Sequence, residues 1–303
     1  MTSAPPSSPG PAVPSGIPPR TFWTRQVHDP AGFVRTHGGL VEGRGLDPGD
    51  VLPPPAPAGC ARDKLVAIAR SEAGMRAACH QAGDGGLRSL RVACSNGAAA
   101  AAARIAELLG RPDPAFRLAL PGDLELAVEA RVEGDPTAPE GARVRQTWRG
   151  VSVALRPGNR GDGRRYVTCT GPLNDYLLVG LREDEDPAAF SVAQAMELAG
   201  AFGLDAEPLR CRVALLQTRE ATGPRGRFFT CGEREHPSAP LTGLVLVALL
   251  GLRAGWKDLE AAPGLRTAAG FLPLPQVAAG AAGAVDVAFP ELFVHMAPLG
   301  GTP

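Results

Sequence analysis

Apolar patterning along the chain predicts its elements. Residues 98–109 and 244–252 are apolar nearly all round, the mark of a helix with no solvent face, so each predicts a buried central helix. Residues 124–132 (LELAVEARV), 151–155 (VSVAL), 213–216 and 292–296 alternate or form short apolar runs, which predicts strands. Residues 187–202 set Phe190, Val192, Ala195, Met196 and Ala199 at helical spacing behind the acidic run Asp184, Glu185, Asp186; they predict an outer helix.

The order of these elements repeats. A strand-like piece at Phe33 and Val34 precedes Cys94-Ser95-Asn96-Gly97 and the first buried helix, and a strand-like Asp175-Tyr176-Leu177-Leu178-Val179 precedes Leu241-Thr242-Gly243 and the second. The repeat predicts two halves, each of strands wrapped around one internal helix. The expected division is an N-terminal lobe of residues 21–157 plus 285–303 and a C-terminal lobe of residues 158–284. Residues 1–20 are rich in Pro, Ser and Gly with almost no bulky apolar side chains, so they cannot offset the entropy of ordering and predict a disordered tail. The proline-rich stretch 53–59 predicts a surface loop.

Charge narrows the partners. Lys+Arg and Asp+Glu both number 31 among 303 residues, so no net field draws in nucleic acid or an anionic membrane, and neither is expected. The apolar run 241–252 is too short to span a bilayer and the N-terminal residues lack a basic-then-apolar signal, which leads to the expectation of a cytoplasmic protein. Cys60, Cys79, Cys94, Cys169, Cys211 and Cys231 form no C-x-x-C pair, so neither a zinc site nor a disulfide framework is expected. The default role of each is a small buried side chain.

Taken together, the repeat and its motifs resemble diaminopimelate epimerase and its cofactor-independent racemase relatives. In that family each half presents a cysteine at the start of its central helix, within CGNG in the first half and CG(T/S)G in the second. Cys94-Ser95-Asn96-Gly97 keeps three of the four first-half positions. Gly171-Pro172-Leu173-Asn174-Asp175-Tyr176 looks like the second-half strand start, and Pro290-Glu291-Leu292-Phe293-Val294-His295 looks like the closing strand that returns to the first lobe. The resemblance covers residues 21–298. It implies an α+β fold of two pseudo-symmetric halves, each with a mixed, largely antiparallel sheet around a central helix. It also implies a substrate that is an amino acid, a derivative of one, or a residue in a peptide, with no cofactor and no metal, and it leaves a homodimer open.

The departures from that pattern matter as much. Pro240 stands where the second cysteine belongs when Thr242-Gly243 are matched. The family's first-half GNDF strand start reads Pro30-Ala31-Gly32-Phe33, without its asparagine. The family's glutamate-arginine pair corresponds to Glu233-Arg234 only across a two-residue gap; without the gap Cys231 and Gly232 fall there.

Racemising an α-carbon without a cofactor needs a base on one face and an acid on the other. A cysteine at a helix start has its thiolate favoured by unpaired N–H groups, and those donors, around Ser95, Asn96 and Gly97, can hold a carboxylate. Cys94 therefore suits a single base. The residue facing it is open among His236, Cys231, Glu233, Glu235 and Thr242; His236 has the advantage that imidazole titrates near neutral pH, although the same run also reads as a solvated loop. Asn174, Glu233, Arg234, Thr242 and Gly243 are substrate-contact candidates, Asn174 equally a turn residue, and Asp84 a turn former. The expected activity is isomerase-like, with one-base proton transfer by Cys94. The alternatives are double-bond migration, elimination or conjugate addition on the same scaffold, and a non-catalytic binding protein.

Overall fold

A computed structural model describes residues 20–26, 34–40, 64–71, 74–83, 86–89, 92–120, 124–159, 161–201, 211–219, 223–230, 234–236 and 238–298. The expected tail up to residue 19, the loop 53–59, Pro30 to Phe33, Asp84, Cys60, Cys231 and Glu233 lie outside the described residues. The chain forms strands β1 (Arg20–Gln26), β2 (Val34–Leu40), β3 (Lys64–Ser71), β4 (Gly74–Gly83) and β5 (Gly86–Ser89), then helix α1 (Ser95–Leu109). Strands β6 (Ala115–Leu120), β7 (Leu124–Glu133), β8 (Ala142–Val151), β9 (Ala154–Asn159), β10 (Arg165–Thr170) and β11 (Asp175–Gly180) lead to α2 (Val192–Gly200). Then come β12 (Cys211–Gln217), β13 (Arg225–Thr230), β14 (Arg234–Glu235), α3 (Leu241–Ala254) and the short α4 (Lys257–Glu260). The chain closes with β15 (Gly264–Thr267), β16 (Gly270–Pro273), β17 (Gln276–Ala279), β18 (Val285–Ala288) and β19 (Leu292–Pro298).

Two mixed sheets result, and they repeat one pairing scheme. In the larger sheet β1–β2, β3–β4 and β6–β7 are antiparallel while β2–β3 and β4–β6 are parallel. In the smaller one β10–β11, β12–β13 and β15–β16 are antiparallel while β11–β12 and β13–β15 are parallel. A short strand precedes the helix in both: β5 pairs with β4, and β14 with β13. Strand for strand, α1 and α3 therefore hold the same place in related halves. Each ends on a glycine in the left-handed region, Gly110 and Gly255, where no Cβ opposes the reversal.

The halves differ in closure, and the helix sequences match the difference. Strand β8 pairs with β7 on one side and with β19 and β18 on the other, so β8, β19, β1, β2, β3, β4, β6 and β7 close into a ring. A ring of about eight strands has an interior just wide enough for side chains. A helix inside it must be slim, and α1 runs through Ala98 to Ala103 with every one at most 1% exposed. Among the described residues the smaller sheet stays open between β9 and β16, and α3 there is built largely from Leu and Val.

Inner and outer faces of the smaller sheet separate by alternation. Tyr176, Leu178, Ala214, Leu216 and Phe228 join the core around α3, whereas Leu177, Val179, Val213, Leu215 and Phe229 pack with Ala195 and Ala199 of α2 on the other face. Residues 151–155 are not the single strand their alternation predicts: β8 ends at Val151 in the larger sheet and β9 starts at Ala154 in the smaller. The helix expected over 187–202 is broken as well. Pro187–Ala189 form a 3-10 turn capped by Asp186, Phe190 is extended, and a capping box of Ser191 and Gln194 then starts α2.

Among the described residues no helix is long and apolar enough to cross a membrane.

Candidate active site

The first turn of α1 is built around Cys94. It is the N-cap, with extended backbone at φ −115 and ψ 108, and its Sγ accepts a hydrogen bond from the Gly97 N–H at 3.3 Å. The Ala98 N–H donates to the Cys94 carbonyl at 2.8 Å. Beneath the turn, the buried Gln146 side chain of β8 donates to the Ser95 carbonyl at 2.9 Å and accepts from the Trp148 indole at 3.1 Å. Enclosure relaxes toward the helix tip, from 0% exposed at Ala98 to 8% at Cys94, with Ser95 buried and Asn96 part-buried.

The first turn of α3 occupies the equivalent place with different chemistry. Pro240 is the N-cap, extended at φ −63 and ψ 136, with no side-chain acceptor for the helix donors. Thr242 and Gly243 follow, matching Asn96 and Gly97. Both glycines are required by close packing. A Cβ on Gly97 would stand 2.3 Å from Cys79 Sγ, and one on Gly243 would stand 2.8 Å from Phe228 and 3.0 Å from the Tyr176 hydroxyl. Strand side chains thus close under each helix start.

Residues 172–174 link the two helix starts. The Ala93 N–H, one residue before Cys94, donates to the Pro172 carbonyl at 2.6 Å. Two residues on, Asn174 Nδ2 donates to Thr242 Oγ1 at 3.4 Å. Asn174 holds φ at 113, a region that L side chains adopt at a cost, and is 3% exposed. Its Oδ1 is buried with no hydrogen-bond partner. The Tyr176 hydroxyl, also buried, interacts with Arg212 and Thr242 but makes no hydrogen bond of good geometry. Unsatisfied buried polar atoms are uncommon in folded proteins, and two of them here flank one threonine at an uncapped helix start.

The candidates from sequence thus fall into two adjoining groups: Cys94, Ser95, Asn96 and Gly97 on α1, and Asn174, Thr242 and Gly243 beside α3. His236 lies on the loop between β14 and α3, part-buried. Its N–H donates to the Phe228 carbonyl at 2.7 Å, and its Nδ1 accepts from the Ser238 N–H at 3.3 Å. That loop is anchored by Arg227, whose guanidinium binds both carboxylate oxygens of Glu235 and the carbonyls of Pro187 and Phe190. Arg234 pairs with Thr230 in β14. Among the described residues no cluster of His, Cys, Asp or Glu is arranged to hold a metal ion.

Sequence reasoning missed Gln146, Tyr176 and Arg212. Alternation in β12 held a usable signal for the last: Val213 and Leu215 face α2, so Arg212 shares the inner face with Ala214 and Leu216. Cys169, in register with Tyr176, is fully enclosed; burial, with the nearby Asp175 carboxylate second, pushes its thiol up to about 12. It is a packing residue.

No protein-family model and no curated protein matches the chain. Among solved structures, it is similar to a protein from Clostridium difficile (strain 630) described as a phenazine biosynthesis PhzC/PhzF protein, at 9% identity and a TM-score of 0.50 over 94% of this chain and 99% of that one. At such identity the likeness concerns architecture. The chain shares the two-lobed α+β architecture of that protein.

Proposed function

We propose that the protein is a divergent cofactor-independent isomerase, acting on an amino acid, an amino-acid derivative or a peptide residue in the crevice where the two helix tips adjoin. The observation that supports it most is the placement of Cys94. Its sulfur caps a buried helix, one residue from a bond between the lobes, and two residues beyond that bond's acceptor stands Asn174 with its buried, unpartnered Oδ1. The sulfur faces an N–H and the positive helix end, an environment that stabilises a thiolate. The Ser95 and Asn96 N–H groups are those a substrate carboxylate would meet, and they would stabilise charge developing on it as the α-proton leaves. Asn174 Oδ1 would accept from the substrate's amino group.

The test is hydrogen exchange. The protein is incubated with amino acids and dipeptides in deuterated water and the α-carbon is read by mass spectrometry. The expected result is label entering one substrate in the wild type and none in Cys94→Ala. Exchange undiminished in C94A would refute the reading. Pro240, at the place matching Cys94, cannot carry a proton, and this favours a second reading. One-sided chemistry such as double-bond migration or elimination would give a rearranged or cleaved product in the same experiment.

A further inference from the structure

Among the described residues the first turn of α3, capped by Pro240, carries no thiol, and the inner face of the smaller sheet changes character close to that turn. Val167, Leu178, Ala214 and Leu216 line the helix with hydrocarbon and are fully buried. Two positions further along each strand, alternation puts Cys169, Tyr176 and Arg212 on the same face, Cys169 opposite Tyr176 and Tyr176 opposite Arg212. The phenol oxygen lies under the first turn of α3, beside Arg212 and Thr242, and Thr242 is held by Asn174.

We infer that Thr242, Tyr176 and Arg212 together form the acid beside this turn, taking over the role that Pro240 cannot fill. The inference rests on Cys94 acting as the base. The Cys94 thiolate takes the α-hydrogen as a proton, forming S–H and leaving the electron pair on the substrate. The Thr242 O–H bond then breaks and its proton goes to the opposite face of the α-carbon. The Tyr176 O–H proton moves to the Thr242 oxygen, and the guanidinium of Arg212 faces the phenolate left behind. Turnover ends with Cys94 protonated and Tyr176 ionised, and the reverse reaction or exchange with water resets both. Burial raises the proton affinity of Tyr176, the largest effect, while Arg212 and Thr242 lower it. The phenol therefore keeps its proton at neutral pH until a carbanion demands it. Thr242 is the catalytic residue in this scheme, and Tyr176 and Arg212 act through it.

The experiment uses the full chain with a panel of common L-amino acids and their dipeptides in deuterated water. Label is read by mass spectrometry and inversion by chiral chromatography. The wild type is expected to exchange and invert the responding substrate. Tyr176→Phe, which removes one hydroxyl, should still exchange on the L face but invert about 10²-fold or more slowly. T242V should behave likewise and T242S should keep inversion, a contrast that decides the matter if Y176F does not fold. Inversion by folded Y176F at the wild-type rate, or equal inversion by T242V and T242S, overturns the acid relay and leaves the Cys94 reading intact. No exchange by the wild type with any of the panel overturns both.

Discussion

Gly97 offers a stability test that turns on one atom. A Cβ there would stand 2.3 Å from Cys79 Sγ, an impossible contact, whereas its next neighbours, Val66 Cγ2 at 3.5 Å and Cys79 Cβ at 3.6 Å, are at ordinary packing distance. Gly97→Ala gains about 1 kcal/mol of helix propensity. Against that, overpacking costs about 1–3 kcal/mol, for a net loss of up to about 2 kcal/mol. Cys79→Ala removes the sulfur and costs about 1 kcal/mol in lost burial and cavity. In that background the methyl group introduced by G97A enters the vacated space, so the substitution should become neutral or stabilising, a coupling of about 1–3 kcal/mol. Urea titration of the four proteins, compared by midpoint at constant slope, measures it. If G97A loses as much in the C79A background as alone, the sulfur is not what excludes a side chain at the third residue of α1.

Asn174 and Cys169 give further tests. Since Asn174 holds φ at 113, N174G should be more stable than N174A by about 1 kcal/mol, both having lost the bond to Thr242; equal urea midpoints would show that the backbone is not strained there. Cys169 should resist iodoacetamide at mildly alkaline pH while Cys94 is modified, as read by peptide mass mapping, because burial raises the Cys169 thiol to about 12. Below the ordinary thiol value of 9.0, Cys169 is protonated in both folded and unfolded chains and its contribution is fully present. As pH rises toward 12 only the unfolded chain ionises, so wild-type stability falls more steeply than that of C169A. Parallel curves for the two proteins would contradict the burial of that thiol.

Local pattern determined much of this protein. The alanine run after Cys94 and the Leu/Val run after Thr242 announce largely buried helices, although Leu252 near the end of the second is exposed. The repeated order of strand, motif and helix announces two related halves. Even the contrast between Cys94 and Pro240 is legible, because N-caps are set by residues adjacent in the chain. Other features were settled only by distant partners. A two-residue alternation reads the same whether or not the chain changes sheets, so 151–155 hid the crossing between Val151 and Ala154. Closure of the ring through β8, with β7, β18 and β19 as neighbours, depends on segments far apart in sequence, and it is this closure that demands alanine in α1. Arg212 and Tyr176 enter the proposed relay for the same reason: periodicity shows which face a strand residue takes, but only the packed sheet shows that this face lies under the first turn of α3.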